Sequence, residues 1–155
     1  TLRSYDYIKC RNSDISSWVK FASGLDSKRY RVVFIPDAST SGIETFIQLK
    51  PFDVFDSACW SLELRAALYE RAWMNMGVAC GPLTISGLLP NVWTVMIDRS
   101  LDYPEDYRKN VYSTGMTPGC APQFYSKNCS FFHGKDDVST LNEIFSKYIG
   151  KMPEE

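Results

Sequence analysis

The sequence predicts a three-layer α/β domain with a mainly parallel sheet, and three observations support this. Short apolar runs alternate with stretches whose apolar residues recur every three or four positions, which indicates strands alternating with amphipathic helices. The runs at 75–80 and 92–97 lack polar alternation, as is typical of strands buried on both faces. Between them, Gly81-Pro82 ends one run and begins a short helical segment at 84–89, so the stretch is interpreted as a βαβ unit.

The first half of the chain contributes two predicted strands and a helix. Residues 5–10 are rich in strand formers and form the first predicted strand. Ser13 or Asn12 is expected to cap a helix over 14–25, and the apolar run 31–36 is the second strand. Residues 39–42 have loop composition, 43–49 fit either a helical turn or an extended piece, and 52–55 fit a short strand.

A helix is predicted over the residues that follow Ser61. Leu64, Ala67, Leu68 and Ala72 stand at spacings of three and four and are expected to form its buried stripe. The charged residues of the same segment are expected to point away from the core, and they are Glu63, Arg65 and Glu70.

The last third supplies the remaining elements. A Tyr-rich polar stretch follows residue 97, with a short helix after Pro104, and 113–128 has the composition of a loop. Residues 130–133 form the last predicted strand, and Asp136 or Asp137 is expected to cap a final helix over 138–149. Five strands alternating with helices predict a Rossmann-like fold for the single domain 1–155.

Composition narrows the function classes. The chain has 155 residues, a net charge of −1 and no basic stripe, which argues against nucleic-acid binding through phosphate contacts. No apolar run approaches the roughly 18 residues of a membrane span. The sequence begins with Thr1 rather than Met, and we expect it to be part of a longer protein.

Five cysteines occur without any C-x-x-C spacing, so neither zinc binding nor a disulfide framework is indicated. We expect reduced, mostly buried thiols in a cytoplasmic protein, with Cys10 and Cys80 buried at the ends of central strands. A Cys120–Cys129 disulfide bridge is the leading exception.

Several polar residues follow predicted strands and should share the carboxyl edge of a parallel sheet. Arg11, Asn12 and Ser13 follow the first strand, and Gly81, Pro82, Leu83 and Thr84 follow the third. The backbone N–H groups of 83–85 would face an anion at a helix N-terminus, and Arg11 would add a bidentate contact. The same residues also fit plain turn chemistry and a salt-bridged arginine.

Further site residues are Asp37, Glu70 and His133, each with an ordinary alternative. Glu70 shares its helix with Arg65 and Arg71, so surface pairing explains it equally well. His133 is the only histidine, so no Ser-His-Asp triad can be argued, and a loop role fits it. The chain contains neither G-x-x-x-x-G-K-[ST] nor G-x-G-x-x-G after the first strand, which disfavours an NTPase or a dehydrogenase.

The order of these segments resembles the C-terminal, donor-binding half of GT-B glycosyltransferases, including heptosyltransferase-like enzymes. The resemblance lies in 7–13 with the helix that contains Trp18, in the strand 31–37, and in the central block made of 64–72, 75–82 and 91–97. The helix that begins after Asp136-Asp137 also agrees. The resemblance implies that Arg11–Ser13 and Gly81–Thr84 hold the diphosphate of a nucleotide sugar, which is a substrate, and that no cofactor is needed.

The resemblance also implies a glycan or other hydroxyl acceptor bound by an N-terminal half that this chain does not contain. Ala79-Cys80 departs from the polar pair that usually precedes Gly-Pro in that family. This departure favours a second hypothesis, a non-catalytic Rossmann-like interaction domain. A third hypothesis is a small flavodoxin-like phosphotransfer domain with Asp37 as phosphoacceptor, although the acidic cluster that such sites need after the first strand is missing.

Overall fold

The computed structural model describes residues 11–37, 43–113, 115–117 and 119–150. The predicted strand at 5–10 and the loop at 39–42 lie outside the described residues. In chain order the described elements are α1 (Ile15–Ser23), β1 (Val33–Phe34), α2 (Ile43–Leu49), β2 (Asp53–Val54), α3 (Leu62–Arg71), β3 (Met74–Val78), α4 (Gly81–Leu88), β4 (Trp93–Asp98), α5 (Glu105–Ser113), β5 (Cys129–His133) and α6 (Val138–Ile149). Short 3-10 turns at Asp56–Cys59 and Ser100–Asp102 precede α3 and α5.

The described strands form two parallel sheets. One sheet pairs β1 with β2, and the other has the order β3-β4-β5. The prediction of an α/β fold with a parallel sheet is therefore confirmed. The predicted strand at 31–36 contributes only two ladder residues, whereas the strands predicted at 75–80, 92–97 and 130–133 agree within two residues at each end.

One layer of helices covers the first face of both sheets. Val95 and Ile97 of β4 and Phe34 of β1 point to this face, because every second residue of a strand shares a face. We call the resulting cluster the α1 core. Its helical members come from α1, α2 and α6, and they are Trp18, Phe21, Ala22, Leu49, Leu141, Ile144 and Tyr148.

A second cluster, the α4 core, covers the opposite face. Met96 of β4 and Ile35, which follows β1, point to this side, each one position away from a residue of the α1 core. Tyr69 of α3 and Leu83 of α4 pack against them. The two sheets therefore share the same two helical layers, as a three-layer α/β domain requires.

The buried face of α3 differs from the predicted one. Arg65 and Tyr69 are buried at 3% and 2% exposure, whereas Leu64 is 43% exposed. The Arg65 Nε–H donates to the Ala58 carbonyl oxygen at 2.7 Å, so the 3-10 turn before the helix supplies a buried acceptor for a buried guanidinium. The apolar spacing at 64–72 gave no sign of that acceptor, and the predicted stripe with Arg65 on the outside is wrong.

Helix capping also differs in detail. Asp14, not Ser13 or Asn12, caps α1 and accepts from the Ser17 N–H. Hydrogen bonds from the Ser17 hydroxyl and N–H help to lower the pKa of Asp14, because they stabilise its charged form. Asp137 caps α6 by accepting from the Thr140 N–H at 2.9 Å, which leaves Asp136 for another role.

Asp136 is a buried carboxylate that joins three segments. One of its oxygens accepts from the Trp18 indole N–H and from the Asp14 N–H, both at 2.8 Å. The other lies 3.4 Å from Nη1 of Arg99. Asp136 is 1% exposed, so these bonds replace its contacts with water, as a buried charge requires.

The helix α4 packs closely on the loop before β5. A Cβ at Gly87 would lie 2.6 Å from a ring carbon of Tyr125 and 2.9 Å from the methyl carbon of Met96. Beneath it, the hydroxyls of Ser86 and Thr94 share a hydrogen bond of 2.6 Å, which pairs two buried polar groups in the α4 core.

We expect Gly87→Ala to destabilise the protein by about 1–3 kcal/mol, because the added methyl group overpacks the contact with Tyr125. Gly81→Ala in the same helix is the matched control, since nothing lies within 4 Å of a Cβ there. The measurement is the free energy of unfolding in urea. Equal stability of the two variants would contradict the close packing described here.

We expect Asp136→Ala to cost about 3 kcal/mol or more of unfolding free energy, because the buried Trp18 indole N–H, the Asp14 N–H and Arg99 lose their acceptor. Asp136→Asn keeps one acceptor oxygen and should lose less. Asp106→Ala, at an exposed position of α5, is the control and should change stability little. Thermal unfolding of the three variants tests this order, and a neutral Asp136→Ala would show that the network contributes nothing.

Candidate functional site

The ends of three parallel strands define one edge of the sheet. β3 ends at Val78, β4 at Asp98 and β5 at His133, and Asp98 pairs with His133 in the ladder. α4 begins three residues after β3 ends, at this carboxyl edge, which is where open α/β sheets bind their ligands.

The first turn of α4 begins with an exposed glycine and lacks a side-chain cap. Its N-cap residue, Cys80, makes no capping hydrogen bond, whereas Asp14, Ser61 and Asp137 cap α1, α3 and α6. Gly81 is exposed, and a Cβ there would meet nothing within 4 Å. A ligand can therefore approach this backbone, where the helix dipole favours negative charge.

The backbone N–H groups of 83–85 were predicted to face an anion, but that of Thr84 is already used within the helix. It makes the first helical hydrogen bond, to the Cys80 carbonyl at 3.2 Å. The Thr84 hydroxyl donates to the same carbonyl and accepts from the Tyr125 hydroxyl at 3.2 Å. By helix geometry the N–H groups of Gly81 and Leu83 have no intrahelical acceptor, and Pro82 has no N–H at all. The Leu83 side chain is fully buried, so only its backbone is offered to a ligand.

Arg11 lies at the start of the described chain and contacts the segment after β4. Its Nη1 donates to the Tyr107 hydroxyl at 2.8 Å. Its guanidinium carbon lies 6.0 Å and 5.8 Å from the ring centroids of Tyr103 and Tyr107, within the range of cation–π attraction. Arg11 is half-buried, and the rings of Tyr103 and Tyr107 lie beside its guanidinium.

A second arginine, Arg99, stands at the same edge. It follows β4 directly and donates to the Asn12 carbonyl oxygen at 3.3 Å. It also pairs with Asp102 at 3.3 Å and with Asp136. The two carboxylates balance its charge, so its main effect is to hold residues 12–14 against the end of β4.

The remaining predicted site residues lie at separate places. Asp37 follows β1, and its charge contributes to the raised pKa of Cys59. Glu70 is exposed on α3, and His133 is exposed at the end of β5, where Gly119 would crowd it if it carried a side chain. Asn12 and Ser13 are half-buried beside Arg11.

A buried polar cluster under the end of β1 was not predicted. The Cys59 thiol donates to the Pro36 carbonyl at 2.9 Å. Burial is the main cause that raises the pKa of this thiol to about 11, and the nearby charge of Asp56 is the second. Nη1 of Arg65 is buried, and the described residues offer it no hydrogen-bond partner. No spacing in the sequence distinguishes Arg65 from the exposed charges of α3.

The four described cysteines are free thiols. Cys80 is buried, as predicted, and Cys10 lies outside the described residues. These four cysteines are reduced, as expected, and the alternative of a Cys120–Cys129 bridge is wrong, since both thiols are free. Burial raises the pKa of Cys129 to about 11.

The described residues contain neither a metal-binding cluster nor a helix that could span a membrane. No group of three or more His, Cys, Asp or Glu side chains there is placed to hold a metal ion. Across those same ranges, no helix has the length and apolar character needed to cross a membrane.

Comparisons with known proteins give no assignment. No family model matches this sequence, and searches of curated proteins and of solved structures found no match. The resemblance to GT-B glycosyltransferases therefore stays a prediction from the sequence.

The thiols should differ in their reactivity at pH 8. Cys59 and Cys129, with pKa values of about 11, are ionised to about one part in a thousand there, and only the thiolate reacts. Cys120 is exposed and should be alkylated first by iodoacetamide, as mapped by mass spectrometry. Labelling of Cys59 and Cys129 should rise as the pH approaches 11, and labelling at pH 8 as fast as that of Cys120 would contradict their burial.

Proposed function

We propose that this domain binds a nucleotide-sugar donor at the carboxyl edge of its parallel sheet, as the donor-binding half of a glycosyltransferase. The observation on which this proposal depends is the first turn of α4. It lies directly after β3, has an exposed glycine, and lacks the side-chain cap that α1, α3 and α6 have. An anion would be stabilised by the uncapped N–H groups and the positive end of the helix dipole.

Arg11 is the proposed partner of this turn. Its guanidinium contacts two phenol rings and a phenol hydroxyl, and it would add a full positive charge to a diphosphate bound at this edge. A charge-assisted bond to phosphate contributes about 1.5–3 kcal/mol. A phosphate would also add the attraction between opposite charges, which the neutral Tyr107 hydroxyl does not offer.

In this proposal the chemistry is stabilisation of the leaving nucleoside diphosphate. Negative charge grows on the diphosphate as the sugar moves to an acceptor hydroxyl, and fixed donors that face it lower the barrier. In a two-domain glycosyltransferase of this kind, the acceptor and its general base would be held by the other half of the enzyme. The domain alone should bind donor weakly and turn over little or none, and a cytoplasmic location suits this role.

Arg11→Ala should weaken binding of a nucleoside diphosphate roughly 10- to 100-fold, because one charge-assisted contact is lost. Thr84→Val should have a smaller effect, since its hydroxyl bonds within the protein and its backbone is unchanged. Arg31→Ala is the matched control, because that arginine is 83% exposed in its side chain and pairs with Asp53. Binding is followed by tryptophan fluorescence during titration with UDP or ADP.

Gly81→Ala adds a test of the helix turn itself. It should preserve the fold but weaken binding, because its methyl group occupies the approach to the N–H groups. If wild-type protein binds no nucleoside diphosphate at millimolar concentration, or if Arg11→Ala and Gly81→Ala bind as tightly as Arg31→Ala, the donor-site proposal is wrong.

A non-catalytic interaction domain is the second candidate function, and one surface favours it. Trp60, Leu62 and Leu64 are 69%, 64% and 43% exposed within five residues at the start of α3. Such a group of large apolar side chains is typical of a protein–protein contact. In this case, Trp60→Ser should abolish partner binding in the parent protein's complex and leave nucleotide titrations unchanged.

A further inference from the structure

A group of exposed apolar side chains lies where the 3-10 turn at Asp56–Cys59 meets α3. Trp60, Leu62 and Leu64 are 69%, 64% and 43% exposed, and we call them the Trp60 surface. Single exposed apolar residues are ordinary, whereas several large ones together are typical of an interaction site. These side chains leave water only when another molecule covers them, and their burial would then favour binding.

The fold beneath the Trp60 surface holds these side chains outward. Ala58 is fully buried, and its carbonyl oxygen accepts from the buried Arg65 at 2.7 Å. The Cys59 thiol donates to the Pro36 carbonyl at 2.9 Å, which fixes the turn to the segment after β1. A rotation of the turn that buried Trp60 would break these buried hydrogen bonds, so its exposure is enforced by the structure.

The start of α3 is fixed as well. The Ser61 hydroxyl oxygen accepts from the Leu64 N–H at 3.2 Å, and the same hydroxyl donates to the Glu63 carboxylate at 3.0 Å. An N-cap of this kind sets the backbone of the first helical turn. The backbone that carries the Trp60 surface is therefore ordered in the unbound protein, which lowers the entropic cost of binding.

Two carboxylates flank the Trp60 surface. An Asp56 carboxylate oxygen lies 3.9 Å from the Cys59 sulfur, and a Glu63 carboxylate oxygen lies 3.0 Å from the Ser61 hydroxyl. Because residues 59 and 61 adjoin Trp60, one carboxylate stands on each side of it. Within the part of the chain that the structure describes, neither carboxylate forms an ion pair. The surface thus combines apolar side chains with negative charge that no basic side chain balances.

This charge distinguishes among the molecules that could cover the surface. A two-fold pair of copies of this chain would place the same surface on both sides of the contact, and its carboxylates would repel one another. Negatively charged lipid headgroups would be repelled for the same reason. A partner that carries positive charges beside apolar side chains would instead be attracted by both features.

We propose that the Trp60 surface binds a basic amphipathic helix of a partner protein. Apolar side chains of that helix would cover Trp60 and Leu62, and its Lys or Arg side chains would pair with Asp56 and Glu63. The surface is small, so the complex should be weak, with a Kd on the order of 10–100 µM. This inference rests on the second candidate function and is independent of the nucleotide-sugar proposal.

Isothermal titration calorimetry on the intact chain tests the proposal with a matched pair of synthetic amphipathic helices. Both peptides share one leucine pattern, and the polar positions are lysine in one and glutamate in the other. The lysine peptide should bind, and the glutamate peptide should not bind at the same concentrations. Added salt should weaken binding of the lysine peptide, because it screens the exposed charges.

Variants locate the binding. Trp60→Ser should weaken binding of the lysine peptide about tenfold or more, because the largest apolar contact is lost. Phe124→Ser is the matched control, since Phe124 is 68% exposed in the segment before β5, and it should bind like the wild type. Glu63→Lys should weaken binding of the lysine peptide and allow the glutamate peptide to bind. These positions are exposed, so the variants should fold, as checked by urea unfolding.

A titration of Trp60→Ser with UDP separates this surface from the proposed donor site. The variant should match the wild type in that titration, whether or not the wild type binds UDP. A failure of UDP binding would overturn the donor-site proposal and leave the peptide result standing.

Several results would overturn the inference. They are equal binding of the two peptides, no binding of the lysine peptide at millimolar concentration, and an affinity that Trp60→Ser leaves unchanged or that Phe124→Ser lowers equally. A wild-type dimer in light scattering that Trp60→Ser makes monomeric would assign the surface to a second copy of the chain. Tighter binding to phosphatidylglycerol vesicles than to the lysine peptide would assign it to a membrane.

Discussion

The carboxylate of Asp136 is the interaction on which the assembly of the carboxyl edge depends. It accepts hydrogen bonds from the backbone N–H of Asp14, the N-cap residue of α1, and from the indole N–H of Trp18 in the α1 core. It also pairs with Arg99, which follows β4. A buried charge with three partners is stable only while all three stay in place, because losing one leaves a desolvated group unpaired. The arrangement of α1, the end of β4 and the start of α6 is therefore cooperative, and it holds the segment that contains Arg11 at the edge where a ligand would bind.

The parallel arrangement explains why the candidate site is divided among distant parts of the sequence. Each crossover returns the chain to the same side of the sheet, so residues 11–13, 81–84 and 99 lie at one edge although they are far apart in sequence. Two arginines at this edge have different described contacts. Arg99 pairs with two carboxylates and positions the backbone of residues 12–14, whereas Arg11 contacts the rings of Tyr103 and Tyr107 and the Tyr107 hydroxyl.

The sequence predicted the elements well where local pattern decides them, and failed where a distant partner decides. Short, largely apolar runs indicated β3, β4 and β5 within two residues, and Asp137 was one of two expected caps for α6. The buried face of α3 was wrong because Arg65 is buried against the carbonyl of Ala58, an acceptor that no periodicity indicates. Likewise, Asp136 was the alternative cap for α6, and its observed role depends on Trp18 and Arg99, which are distant from it in sequence. The position of Gly81–Thr84 just after β3 was predictable, but the partners of Arg11 and Thr84 were not.

The helix α5 differs from the other helices of the domain because none of its nine residues is buried. Isolated helices of that length are marginal in water. Its contacts with the body include the Tyr107 hydroxyl on Arg11 and the Tyr112 hydroxyl on Ser100. Substitutions in α5 can therefore accumulate during evolution with little risk to folding, while they alter the surroundings of Arg11. Sequence change in this helix would therefore reshape the surface at the carboxyl edge through a segment that contributes no buried residue.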